Sequence, residues 1–217
     1  MATYDDPRVL RAIAHPTRNR ILAELSAEGT ARAADLAQNL DLPANQVSFH
    51  LRQLAKYGLV DEAPEAARDR RDRVWQLADP EGGVSFKTRE VLAQPGGPAA
   101  VEVFRRSASA RAHHLVDLAY ADPVEGVERI VSESALRLTV DEVAEFNDAL
   151  QAFVNRWRER AGEPGERETY SLYSVLQPYP DVLHGDGAGG DGAGGDGAEA
   201  DVPAPSEPFT VRGFGGA

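Results

Sequence analysis

The stretch ARAADLAQNLDLPANQVSFHLRQLAKYGLV, residues 31–60, encodes two short helices joined by a tight turn. In the first helix Leu36 and Leu40 share one face, and the LDLP run ends it, because Pro43 lacks an amide proton and holds Leu42 away from helical angles. In the second helix Val47, Leu51 and Leu54 fall at i, i+4 and i+7 and make one buried stripe. Gly58 stands where a left-handed C-terminal cap is expected. On a helical wheel the opposite side carries Asn45, Gln46, Phe49, Arg52, Gln53 and Lys56, with Ser48 and His50 on the flanks.

Those side chains suit duplex DNA. Arg bridges guanine O6 and N7, Asn and Gln pair with adenine, an aromatic touches a thymine methyl, and Lys or Ser holds phosphate. A Phe on a free surface costs solubility, so its place there is easier to explain if the face meets a partner. A solvated amphipathic helix fits the same wheel. The next residues favour the partner. Residues 59–63 run extended, the loop PEAARDRRD spans 64–72, and RVWQL at 73–77 returns with Trp75 and Leu77 on one face. Such a hairpin is a wing. Its Arg68, Arg70, Arg71 and Arg73 can reach phosphates or a narrow minor groove, or can pair with the interleaved Asp69 and Asp72.

Taken in order, LRAIAHPTRNRILAEL at 10–25, VSFHLRQLAKYGLV at 47–60 and the RVWQL strand resemble the ArsR-type winged helix-turn-helix transcriptional regulators over residues 7–78. The resemblance implies that the helix carrying Asn45 to Lys56 enters the major groove, that His15 and Pro16 open the second helix, and that a homodimer reads two half-sites. It also nominates Ser48, His50 and Arg52 as DNA contacts. Metal-sensing members of that family place thiolates on the helix before the turn, where this chain has Ala33, Ala34 and Asp35; it contains no cysteine, which excludes a soft-metal site and a disulfide framework. His113 and His114 are adjacent and diverge by about 100 degrees on a helix. Asp117 is their one carboxylate neighbour at helical spacing, so no metal and no cofactor is expected.

The acidity of the chain, net charge -12, is unevenly spread. Residues 1–80 hold 11 basic against 12 acidic side chains, 81–184 hold 11 against 17, and 185–217 hold 1 against 6. A near-neutral DNA-binding half predicts weak non-specific binding and dependence on a second copy. The N-terminus MATYDDPRVL is acidic and polar where a signal peptide is basic and then apolar, and no run is long enough to span a bilayer, so a cytoplasmic protein without membrane contact is expected.

Beyond the wing, residues 99–120 have helical periodicity, and Asp122-Pro123 ends it. RIVSESALRL at 129–138 alternates like a strand, Thr139 and Glu142 form a T-x-x-E capping box for a long helix to about residue 161, and YSLYSVLQ at 170–177 reads as a second strand. The long helix carries Val143, Phe146, Leu150, Phe153 and Trp157 at spacings of 3, 4, 3 and 4. This seam packs either on its own sheet or on the same helix of a second copy, and coiled coils usually need more than two heptads. A third reading makes Trp157, Tyr170 and Tyr173 the walls of a small-molecule effector site. The final HGDGAGGDGAGGDGAEADVPAPSEP at 184–208 is Gly-rich and acidic and lacks the large apolar residues of calcium-binding repeats, so disorder is expected, with the wing arginines as one candidate docking point for the tail.

The sequence thus predicts a mainly α protein with small β content (α+β): a winged helix-turn-helix DNA-binding domain at 1–80, a helix-strand-helix-strand module for dimerisation or effector binding at 81–184, and a disordered acidic tail at 185–217. It carries no nucleophile elbow, phosphate loop or metal-ligand pair, and an enzyme is not expected. The expected function is sequence-specific binding of double-stranded DNA by a homodimeric repressor. The alternatives are a winged helix used for protein association and a small-molecule-sensing regulator with its ligand in the second module.

Overall fold

After a short strand β1 (Ala2–Tyr4), helix α1 (Pro7–Ala14) begins at Asp6, whose carboxylate accepts the Arg8 amide at 2.8 Å, with Pro7 in the first turn. Its Val9, Leu10 and Ile13 are buried. Helix α2 (Pro16–Glu28) follows after His15 and buries Ile21, Leu22 and Leu25. A short strand β2 (Thr30–Arg32) leads into α3 (Ala33–Asn39), the turn, and α4 (Ala44–Lys56). The computed structural model describes residues 2–69, 72–79, 84–163 and 167–178.

The turn between α3 and α4 follows the sequence expectation in outline and adds one detail. Asp41 has φ 51, a left-handed conformation that Asp tolerates better than most residues. Leu42 donates its amide to the Ala37 carbonyl at 2.9 Å, which closes the end of α3, and Pro43 is the N-cap of α4. At the far end of α4, Gly58 has φ 64 and Leu59 donates to the Leu54 carbonyl at 3.1 Å, a left-handed closure that turns the chain into the wing.

The wing is β3 (Val60–Glu62), a loop with a single 3-10 turn at Pro64–Ala66, and β4 (Val74–Leu77). Both strands fall inside the stretches read from the sequence. Strand β2 was not foreseen, and it completes a three-stranded antiparallel sheet in the order β2-β4-β3, with Ala31 opposite Trp75 and Val60 opposite Leu77. Also unforeseen are β1 and β5 (Val84–Phe86), which pair in parallel, and the short helix α5 (Thr88–Leu92). The Tyr4 hydroxyl donates to the Gly58 carbonyl at 2.6 Å and ties this N-terminal strand to the end of α4.

Helix α6 (Gly97–Ala119) begins with its first half in the core, where Ala100, Val101 and Phe104 join Val9, Leu10 and Ile13. The hydrophobic core therefore runs on past residue 80. Ser107 fixes the same contact by donating to the Ala14 carbonyl at 2.6 Å. Helix α7 (Val140–Arg158) has the expected capping box: the Thr139 hydroxyl accepts the Glu142 amide at 3.3 Å, and the Glu142 carboxylate accepts the Thr139 amide at 2.6 Å. It continues as a 3-10 turn at Glu159–Gly162.

The mixed α and small-β class holds, with further helices after the winged unit. The two segments expected to be strands in the second module do not form them: residues 129–138 and 170–177 belong to no sheet among the described residues. An apolar pattern supplies no neighbouring strand edge, and among the described residues neither segment pairs with one. Just ahead of the later segment the Thr169 hydroxyl donates to the Glu24 carboxylate on α2 at 3.0 Å. The tail at 185–217 lies outside the described residues.

Candidate nucleic-acid interface

Helix α4 presents two opposite faces. Val47, His50, Leu51 and Leu54 are buried at i, i+3, i+4 and i+7, while Asn45, Gln46, Phe49, Arg52 and Lys56 are exposed together on the other side. Ser48 and Gln53 lie half-buried at the borders. Phe49 keeps 51% of its surface exposed, although its ring touches the His50 ring edge-on at a centroid distance of 5.4 Å. Asn45 accepts the Gln46 amide at 2.9 Å, which uses one acceptor position and leaves its amide NH2 at the surface.

His50 departs from the sequence expectation. It is 6% exposed and faces the start of α2, where its ring meets that of His15 at 4.8 Å. Burial, assisted for His50 by the neighbouring His15 and for both by Arg18, pushes these imidazoles below the usual histidine range. The Nδ1 atoms of both rings and Nδ2 of the buried Asn19 have no hydrogen-bond partner among the described residues. His50 therefore braces the back of α4. The helical wheel put it on a flank, and the flank at that position turns inward against α2.

The wing stands beside α4 and is held by an ion pair that the sequence did not signal. Arg32, at the end of the unforeseen strand β2, donates through Nε to Asp72 at 2.7 Å, and the same carboxylate accepts the Arg68 amide at 3.1 Å. Arg32 keeps the Asp72 carboxyl below its ordinary range. Asp72 is thus spent on shaping the loop, and the Arg68 side chain is exposed at its tip. Arg73 is also exposed and lies 3.6 Å from Glu62 on β3, a loose pair that water screens. Arg70 and Arg71 lie outside the described residues.

The remaining sequence candidates sit elsewhere. Of the α7 seam, Val143, Phe146, Phe153 and Trp157 are exposed and Leu150 is half-buried. Trp157, Tyr170 and Tyr173 are all exposed, and among the described residues neither sheet includes their segments. His113 bonds through Nδ1 with the Ser109 carbonyl oxygen at 2.9 Å on its own helix. Among the described residues no cluster of three or more His, Asp or Glu side chains is placed to hold a metal ion, and no helix is long and apolar enough to cross a membrane.

Two helices at a tight turn, with a β-hairpin beside the second, define a winged helix-turn-helix fold. A family model described as helix-turn-helix domain matches residues 13–63, which contain α2, α3 and α4. Solved structures similar to the chain include the YusO protein from Bacillus subtilis, at 15% identity over 69% of this chain and 83% of that one, TM-score 0.31. A mutant MarR from E. coli matches at 16% identity over 68% and 86%, TM-score 0.31. Lactococcus lactis ZitR in complex with DNA matches at 19% identity over 65% and 73%, TM-score 0.29. The comparison with curated proteins gave no match. The family model is a helix-turn-helix domain, one of these structures is a MarR and none is named as an ArsR-type regulator, so the ArsR-type resemblance is corrected to the broader winged helix-turn-helix class.

Proposed function

We propose that this chain is a non-enzymatic transcriptional regulator that reads double-stranded DNA with α4 in the major groove and works as a homodimeric repressor. The observation that carries the proposal is the exposed row Asn45, Gln46, Phe49, Arg52 and Lys56, set opposite the buried stripe of the same helix and next to an arginine-tipped wing. Amide and guanidinium groups in one row match the donor and acceptor pattern of base edges. Ser48, Gln53, Lys56, Arg68, Arg70, Arg71 and Arg73 would serve chiefly as backbone contacts, which set register and carry no sequence information. His50 acts in this reading through its packing and not by touching DNA.

The competing protein-association reading draws on the near-neutral charge of residues 1–80. A module of that kind would bury or self-pair Arg52, Gln53 and the wing arginines in a dimer; in the single chain Arg52 is exposed and Gln53 half-buried. A small-molecule effector remains compatible with the second half of the chain. The test is selection of bound fragments from a genomic DNA pool, including the region upstream of the chain's own gene. Enrichment of one sequence containing two related half-sites supports the proposal, and recovery of the pool without enrichment rejects it.

A further inference from the structure

The outer face of α7 lacks a counterpart among the described residues. Its half-buried residues Asn147, Leu150, Gln151, Val154, Asn155 and Arg158 form one face, and α7 touches α2. The seam of Val143, Phe146, Phe153 and Trp157 lies roughly a quarter turn away at 100 degrees per residue, with Leu150 at the shared edge. Phe153 and Trp157 touch edge-on at 6.4 Å, and Arg156 and Arg160 lie over their rings at 5.6 and 4.7 Å.

We propose that this seam pairs with the α7 of a second copy in antiparallel orientation, with Leu150 on the two-fold axis. The inference rests on the proposed function only in requiring a second copy. Three observations fix the occupant and the direction. First, the seam reads nearly the same from either end about Leu150, so an antiparallel mate brings Val143 to the partner's Trp157, Phe146 to the partner's Phe153, and Leu150 to the partner's Leu150. An isologous interface needs this self-complementarity. Second, charge runs along the helix in one direction. Asp141, Glu142, Glu145 and Asp148 fill the first half, while Arg156, Arg158 and Arg160 outnumber Glu159 at the end. This gradient also suits the helix dipole. Parallel mates would set like charges side by side, and antiparallel mates set the acidic first half of one helix along the basic end of the other.

Third, α7 and the extended segments before and after it leave many large apolar side chains exposed. Fourteen large apolar side chains between residues 130 and 176 stand exposed, including Ile130 at 92%. At roughly 80–100 Å² of exposed side chain each, they total about 1,200 Å². A standard interface takes about 800 Å² from each partner. Two heptads alone make a marginal coiled coil. The apolar side chains of residues 129–138 and 170–177 flank the seam in sequence and supply the additional area.

The chain contains no cysteine, so single cysteines report the pairing cleanly. Under mild oxidation Leu150→Cys should form a covalent dimer by itself. Phe146→Cys and Phe153→Cys should cross-link several-fold better when mixed than either does alone, since a disulfide tolerates only about 4.4–6.8 Å between Cα atoms. Far-UV circular dichroism confirms that each variant is folded. Equal self-linking at all three positions means parallel helices and overturns the proposal. A dimer by light scattering without the Leu150→Cys link places the interface elsewhere and overturns it too. A monomeric Phe153→Cys variant whose thiol resists maleimide means that the chain's own C-terminal residues cover the seam, which also overturns it. Selective DNA binding in any of these cases leaves the regulator reading intact, so the two failures are distinguishable.

Discussion

Behind the outward face of α4, His15 and His50 sit ring against ring at 4.8 Å with Arg18 close by. Both imidazoles are held below the ordinary value of 6.5 because burial disfavours the charged form and Arg18 repels it. A pKa lowered by folding means that the unfolded chain binds more protons in the window between the two values. The stability contributed is fully present above about pH 6.5 and is lost as pH falls through the lowered folded values. Thermal midpoints should therefore drop between pH 7 and pH 5, and His50→Leu should flatten that profile. A midpoint equal at both pH values, in the parent chain, would show that the pair is not held neutral. His50 also marks where a wheel stops being informative: it separates positions by angle, and only the packing of α2 against α4 decides which flank is interior.

At the scale of the element, α4 depends on its inner stripe. Leu51 is fully buried, and Leu51→Ala should cost about 2–5 kcal/mol in chemical denaturation, with a smaller loss indicating that neighbours collapse into the cavity. At the start of α6, Gly97 allows a close crossing. A Cβ there would run into the Val91 carbonyl, so Gly97→Ala should lower the thermal midpoint although alanine is the better helix former. The wing depends on Arg32 and Asp72. Asp72→Asn should speed hydrogen exchange in residues 66–69 without changing exchange in α4, and slowed or unchanged exchange would remove that pair from the account. The helix-turn-helix was legible because two helical periods, a proline and a capping glycine fall in one window of sequence. The capping box of α7 was legible for the same reason. Strands β1, β2 and β5 were not, because each has three residues and, unlike β3, pairs with a strand far away in sequence and not across a hairpin loop. Residues 129–138 alternate and residues 170–177 read as a strand, yet neither joins a sheet among the described residues, since a strand needs a neighbouring edge as well as a pattern.

For the whole molecule, charge and exposure set the behaviour. The winged half is close to neutral, so electrostatic attraction to any duplex is weak and base contacts must carry discrimination. Two copies joined through α7 would double those contacts, and Leu150→Glu should then bring the mass in light scattering from twice 23.4 kDa to 23.4 kDa. The site was legible in sequence as a set of residue types on one helix face, yet the packing role of His50 and the brace from Arg32 to Asp72 needed the fold. The most direct test of DNA reading is fluorescence anisotropy on the selected fragment and on a random duplex, at two salt concentrations, for the parent chain and Arg52→Ala. Loss of a base-edge contact is worth about 1–3 kcal/mol, so the variant should bind the selected fragment roughly 5-fold to 150-fold more weakly and the random duplex almost as before. An equal loss on both duplexes, or none on either, would contradict the assignment of α4 as the helix that reads sequence.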